Sequence, residues 1–272
     1  MRRLACIGVA LAVIAAGCER PRSSERGCPL TPEQEIDVGR ATAPLLEARF
    51  GGRLDLPAIQ AYVRTVGERI GRAASGGQWP YRVTVLDSPQ VGSFSLPGGP
   101  VFVTRGLVAR LRTEGELAAV IAHQVAHAGA DHDMQRLCDA FGTQILTDAA
   151  EAAARATARD DAGASPPQAA ALEKLVVACV QVPYTPEMEL EADALGLDYM
   201  IAAGYHPGEM IRAASLFESM QGPEGSGFLG LHPNPGARAE SVAAAAGRKY
   251  PGRDGRVGRD EYQREVLDRL KK

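Results

Sequence analysis

Apolar residues return every third or fourth position along most of this chain, with polar residues between them. That period belongs to helices packed against a core. Thr31-Pro32-Glu33-Gln34 opens the first such segment, with Thr31 as N-cap, Pro32 in the first turn and Gln34 placed to complete a capping box. Ile36, Val38, Leu45 and Leu46 carry it to Phe50-Gly51-Gly52. A second helix, over 57–74, sets Ile59, Tyr62, Val63, Val66 and Ile70 at helical spacing. The period then falls to two. Residues 81–86 alternate and are rich in β-branched side chains, which predicts a strand. Residues 93–96 predict a short edge strand, Pro97-Gly98-Gly99 a turn, and 101–104 a strand pairing back on it. A short helix is expected over 107–111. The helical period then resumes at a second capping box, Thr113-Glu114-Gly115-Glu116. Further helices are predicted over 140–158, 169–182, 185–203, 207–221, 239–245 and 259–270, broken by Gly- and Pro-bearing loops such as 222–237. The pattern is that of an α+β domain, mostly helical with one small sheet, over residues 31–272.

The first thirty residues obey a different rule. Arg2 and Arg3 precede an apolar run over 4–16 that is short for a bilayer span, and the run ends Ala15-Ala16-Gly17-Cys18. This predicts a secretory leader over 1–17. Small residues before a cysteine resemble a bacterial lipobox, which implies cleavage before Cys18 and lipid on that residue; Ala15 stands where the pattern prefers leucine. Residues 18–30 are polar and uncapped and predict a flexible tether. The expected location is the bacterial envelope, lipid-anchored, at the periplasmic face of the outer membrane.

Composition adds little to this and excludes one class. The 272 residues, 45% apolar, suffice for a substantial core. A net charge of −3 without a basic cluster interleaved with aromatics argues against nucleic acid as a partner. Beyond Cys18 stand Cys28, Cys138 and Cys179. An oxidising compartment would allow Cys138 and Cys179 to pair, and none of the cysteines has the C-x-x-C spacing of a thiolate metal site.

The chemistry gathers at Ile121-Ala122-His123-Gln124-Val125-Ala126-His127. Two histidines four apart on a helix share one face and can take two corners of a tetrahedral zinc. The motif for a zinc peptidase is H-E-x-x-H, its Glu being the general base; here Gln124 stands in that place. A third ligand is offered by Glu189-Leu190-Glu191-Ala192-Asp193. Glu189 and Asp193 lie one helical turn apart on one face, whereas Glu191 points about 200° away from Glu189. Glu189 is thus the expected ligand and Glu191 the fallback. Asp193 is placed to accept a hydrogen bond from a ligand histidine and so fix its tautomer.

These stretches, with Glu35-Ile36-Asp37-Val38-Gly39, Leu96-Pro97-Gly98-Gly99, Val101-Phe102-Val103-Thr104-Arg105-Gly106-Leu107, Ala203-Gly204-Tyr205 and His232-Pro233 followed by Arg238, stand in the order found in one family. Over roughly residues 31–245 the chain resembles the minigluzincin zinc metallopeptidases, the group of HtpX, the CAAX prenyl protease and the periplasmic BepA- and LoiP-like enzymes. The resemblance implies one zinc per chain held by His123, His127 and Glu189, and a polypeptide lying antiparallel along the edge strand at 93–96. It implies that His232 sits near the metal, where it can occupy or gate the open position, and that Arg238 lies by the cleft. His132 is expected to pack behind the ligands rather than bind metal. Three positions depart from the family pattern. Gly92 replaces a common Asn, Asp131 a basic residue, and Gln124 the catalytic Glu. Only the last touches catalysis, because that Glu takes a proton from the attacking water and returns it to the leaving amine. Two functions remain open: a metalloendopeptidase acting on unfolded or misassembled proteins, or a catalytically impaired relative that binds polypeptide as a chaperone or adaptor.

Overall fold

The computed structural model describes residues 30–75, 79–157, 165–220, 231–233 and 235–271. The leader, Cys18, Cys28 and nearly all of the tether lie outside the described residues.

Helices α1 (Pro32–Arg49) and α2 (Pro57–Ser75) come first, and then the three strands β1 (Arg82–Leu86), β2 (Ser93–Ser95) and β3 (Pro100–Thr104). Short α3 (Arg105–Val108) leads to α4 (Glu114–Gly129), α5 (His132–Phe141), α6 (Gln144–Thr157) and α7 (Pro166–Gln181). Next are α8 (Pro186–Ala202), α9 (Gly208–Ser219) and α10 (Pro235–Lys249). Finally α11 (Arg259–Tyr262) passes through a π-helical turn (Gln263–Leu267) into α12 (Asp268–Leu270). The expected mostly helical α+β architecture is the one observed. The short helix expected over 107–111 spans Arg105–Val108, α5 (His132–Phe141) lies mostly where no separate helix was predicted, and two further boundaries differ. The predicted helix over 140–158 is cut by Gly142, whose φ of 73° lies in the region where glycine is favoured, so α5 ends and α6 starts afresh. The helix predicted over 239–245 extends at both ends, as α10.

The sheet runs β1-β3-β2, with β1 parallel to β3 and β2 antiparallel to it, so β2 is the edge strand the sequence predicts. The turn between β2 and β3 is pressed onto α1. Gly98 has φ 77°, and a Cβ there would stand 2.2 Å from the Glu35 carbonyl oxygen. The motif stretches around Gly39 and Gly98 are thus two sides of one contact. Alternation splits the sheet's side chains between two cores. Val83, Val85, Val101 and Val103 join the core built on α2, α4 and α8. Leu86, Phe94, Leu96 and Phe102 join a second core with α1, α5, α6 and α7. Cys138 and Cys179 belong to this second cluster and both thiols are free, so the pairing considered from sequence is not formed. Burial pushes the Cys179 thiol up to about 12, which leaves it inert.

The first turn of α4 is fixed from a distance. Its Glu114 and Gly115 N–H groups donate to the carbonyls of Gly258 (3.4 Å) and Val257 (3.0 Å). The Glu114 carboxylate receives Arg256, Arg69, Tyr62 and Tyr205 at 2.6–3.0 Å. Orphan donors at a helix start are thereby satisfied by a segment about 140 residues away in sequence.

Candidate metal centre

Helix α4 starts on Thr113, whose hydroxyl accepts the Glu116 N–H at 3.0 Å. Every residue from Glu114 to His127 is buried, because the helix is apolar on nearly all sides and lies between the sheet, α2 and α8. Helix α8 starts on Thr185 with Pro186 in its first turn, which places the Glu189 carboxylate near a helix N-terminus where negative charge is favoured. Gly196 lets the two helices meet: a Cβ there would already touch the His123 backbone at 3.2–3.3 Å.

His123, His127, Glu189 and His232 bring ligand atoms within 4.8 Å of one another, all buried. His123 Nε2 and His127 Nε2 are 3.0 Å apart. Glu189 Oε1 is 3.3 Å from His127 Nε2, and Glu189 Oε2 is 3.5 Å from His123 Nε2. Bonds of about 2.0–2.1 Å in tetrahedral array put ligand atoms about 3.3 Å apart, so the spacing is that of zinc ligands. The ring orientations agree, as assigned from the hydrogen-bond pattern. His123 Nδ1 faces Asp193 Oδ1 at 2.9 Å, which leaves Nε2 as the nitrogen turned to the cluster. His127 Nδ1 faces His132 Nδ1 at 3.1 Å, and His132 Nε2 in turn approaches Glu191 Oε2 at 3.5 Å. This chain, too, leaves Nε2 of His127 turned to the cluster. Glu191 therefore points at His132 and stands outside the cluster. Burial, reinforced by His123, pulls the His127 imidazole well below its ordinary value. Burial opposes ionisation of Glu189, but His232, His123 and His127 outweigh it and hold the carboxyl well below its ordinary value. Two imidazole nitrogens and a carboxylate converging in a buried site form a donor set that fits zinc.

Arg238 grips Asp193 with two bonds of 2.7 Å and also meets Glu189 Oε2. Burial opposes its charge, yet the Asp193 contact outweighs this and raises the guanidinium. His232 Nδ1 lies 2.8 Å from Glu189 Oε1 and 3.2 Å from His123 Nε2, at the fourth corner. Gln124 is fully buried beside it. Its Nε2 donates to Ser93 Oγ of the edge strand at 3.0 Å and lies 3.2 Å from His232 Nε2. Its Oε1 has no donor among the described residues.

Residues the sequence did not single out surround this arrangement. Tyr184 stacks on the His127 ring at 3.7 Å between centroids; Asp133 and Ser95 hold its hydroxyl, and the Arg136 guanidinium lies over its ring. The only hint in the chain is the i, i+3 pair Asp133 and Arg136 in an otherwise ordinary helical stretch. On the far face of β2 a groove of about 1300 Å³ is lined by Phe50, Val91, Phe94, Val180, Met220 and Leu231 among others, and by none of the four cluster residues.

A His-x-x-x-His helix and a glutamate helix closing on one buried metal position, beside an edge strand, define a zinc metallopeptidase of the gluzincin type. The description of Peptidase family M48 matches residues 57–246, and the chain belongs to that family. Among curated relatives it is 27% identical over 203 residues to "Mitochondrial metalloendopeptidase OMA1" of Schizosaccharomyces pombe, covering 72% of this chain and 56% of that one. It is 26% identical over 249 residues to "Beta-barrel assembly-enhancing protease" of Yersinia pestis, covering 83% and 46%. To "Metalloendopeptidase OMA1, mitochondrial" of Bos taurus it is 32% identical over 179 residues, covering 59% and 31%. The chain thus spans about half the length, or less, of the curated relatives it matches.

Proposed function

We propose that this chain is a zinc metalloendopeptidase-type domain of the bacterial envelope, lipid-anchored through Cys18, that handles unfolded or misassembled polypeptide. In this reading His232 closes its centre and Gln124 leaves it short of a proton shuttle. The observation that carries the reading is the convergence of His123 Nε2, His127 Nε2 and the Glu189 carboxylate at 3.0–3.5 Å in a buried site. Zinc held there supplies Lewis acidity, polarising a scissile carbonyl and lowering the pKa of water towards about 7. His123, His127 and Glu189 hold the metal. Asp193 fixes the His123 tautomer, and Arg238 holds Asp193 in place. The Gln124 amide accepts a hydrogen bond through Oε1 and orients the attacking water, but it holds no proton and passes none to the departing amine.

A polypeptide pairing with the free side of β2 would send alternate side chains to opposite faces. One set would face the centre, where Ser93 and Ser95 point, and the other the apolar groove on the Phe94 side. His127 and Glu189 are fully buried and His232 is only 4% exposed, so the centre lies beneath the surface of the described residues. The names of the bacterial relatives, which speak of β-barrel assembly, and the leader over 1–17 support an envelope setting. Gln124 favours a second reading, in which the domain captures polypeptide and cuts it slowly or not at all.

The test is metal content. Purified protein should hold about one zinc per chain. His123→Ala and Glu189→Ala should abolish binding, while Glu191→Ala should spare it. Wild-type protein that stays metal-free in a zinc titration, or loses its zinc only on Glu191→Ala, sinks the reading.

A further inference from the structure

Tyr184 lies in the link between α7 and α8, outside every motif that marks the family resemblance. Its ring lies nearly parallel to that of His127, at 21° and 3.7 Å between centroids. Its hydroxyl donates to Asp133 Oδ1 at 2.8 Å and lies 3.3 Å from Ser95 Oγ. Ser95, on the edge strand, donates to Asp133 Oδ2 at 2.6 Å. The Arg136 guanidinium stands 4.2 Å from the centre of the Tyr184 ring and donates to Asp133 Oδ1 at 2.8 Å. The same guanidinium donates to the Cys179 carbonyl at 2.9 Å and to the Val182 carbonyl, so it also satisfies the open carbonyl end of α7. All four side chains are buried. A tyrosine ring is thus clamped between a fixed cation and the imidazole of His127, with its hydroxyl tied to a carboxylate that two other elements share.

Such an assembly is more than the core requires. A buried aspartate and arginine with every oxygen and nitrogen aimed at a named partner is costly to assemble, and a hydrophobic residue would fill the same space. What the assembly fixes is one ring plane. His123 has the usual device for this, a carboxylate on its second nitrogen. His127 lacks it among the described residues: its second nitrogen faces not a carboxylate but Nδ1 of His132 at 3.1 Å. We propose that Tyr184, held by Asp133, Arg136 and Ser95, is the positioning residue for His127, and that its stacked ring sets the aim of that ligand into the metal site. This rests on the metal reading above. The aim depends on the aromatic ring, with the hydroxyl serving only to anchor it. Through Ser95 the same clamp ties the ligand to the strand on which polypeptide is proposed to lie.

The experiment compares wild type with Tyr184→Phe and Tyr184→Met. Phe keeps the stack and loses the anchor; Met fills most of the volume without a ring. Zinc affinity is read by competition with a chromophoric chelator, and ligand geometry by the visible spectrum of the cobalt-substituted protein. Folding is checked by circular dichroism. Removing a group that orients a metal ligand costs about 10–100-fold in metal affinity. Tyr184→Met should fall in that range with a shifted cobalt spectrum. Tyr184→Phe should stay within about threefold of wild type with an unshifted spectrum, since the stack remains. If Tyr184→Met does not fold, Tyr184→Leu, which also lacks a ring, takes its place and should show the same loss and spectral shift. A folded Tyr184→Met with wild-type affinity and spectrum overturns the proposal alone. Wild type that binds neither zinc nor cobalt overturns the metal reading and the proposal with it.

Discussion

Gln124→Glu replaces one nitrogen by an oxygen at a fully buried position, so its effects can be worked out atom by atom. Gln124 Nε2 now donates to Ser93 Oγ at 3.0 Å and faces His232 Nε2 at 3.2 Å. After the change the Ser93 hydroxyl must turn and donate, which a hydroxyl rotor does readily. His232 already faces Glu189 through Nδ1, so Nε2 must carry the second proton if it is to meet the new carboxylate. Without metal, the new carboxylate is a second negative charge in the buried site beside Glu189, with His232 between them, which costs several kcal/mol. The metal-free variant should therefore be less stable than wild type, and zinc should restore more of its melting temperature. On the rate, a positioned general base contributes about 10²–10⁴-fold, or about 3–5 kcal/mol of barrier. The assay is cleavage of a quenched fluorescent peptide library by zinc-loaded wild type and variant. The expected result is a kcat at least about 10²-fold higher in the variant with KM nearly unchanged, the mark of an interaction made in the transition state. Brisk, chelator-sensitive cleavage by wild type would refute the reasoning, because another group would then supply the base. So would a variant that binds zinc and peptide but stays inert even when combined with His232→Ala, which clears the fourth corner.

Two further outcomes follow from the sequence and the packing. Burial pushes the Glu114 carboxyl up, but hydrogen bonds from Arg256, Tyr62 and Tyr205 outweigh it and hold the group below its ordinary 4.5. Its contribution is then fully present above about pH 4.5 and lost as pH falls through the lower folded value. Glu114→Gln should cost about 1–3 kcal/mol near neutrality, and its melting curve should approach that of wild type in acid; a gap that stays constant from pH 6 down to pH 3 contradicts this. For the anchor, cells given a fatty-acid analogue should label wild-type protein and leave Cys18→Ser unlabelled, and wild type that takes up no label removes the lipoprotein assignment.

What could be read from the sequence was whatever a fixed period encodes. The four-residue step from His123 to His127 placed both on one face, and the same step from Glu189 to Asp193 paired those two and left Glu191 pointing elsewhere. Thr31, Thr113 and Thr185 announced their helices because a cap is a local bond. The break after α4 was hidden, since it depends on Asp131 adopting a left-handed φ of 59°, which Asp tolerates but does not announce. Tyr184, Asp133, Arg136 and Ser95 were illegible for a different reason. They come from three distant stretches, and no local pattern records that tertiary packing sets them around one ring. His232 was found only through a resemblance, because a lone histidine in a glycine-rich loop carries no period at all.

The bonding of α4 to residues 256–258 has a consequence in time. Tyr62, Glu114, Tyr205 and Arg256 meet across separations of 52, 91 and 142 residues, and Tyr262 reaches Val108 across 154. Closing loops of that length is entropically slow, and such contacts tend to form late. The helix that carries both histidines therefore receives its final anchorage only after some 140 further residues have emerged from the ribosome. A nascent chain released early would present His123 and His127 on a helix whose first turn is still frayed. The centre is in effect kept for a finished molecule.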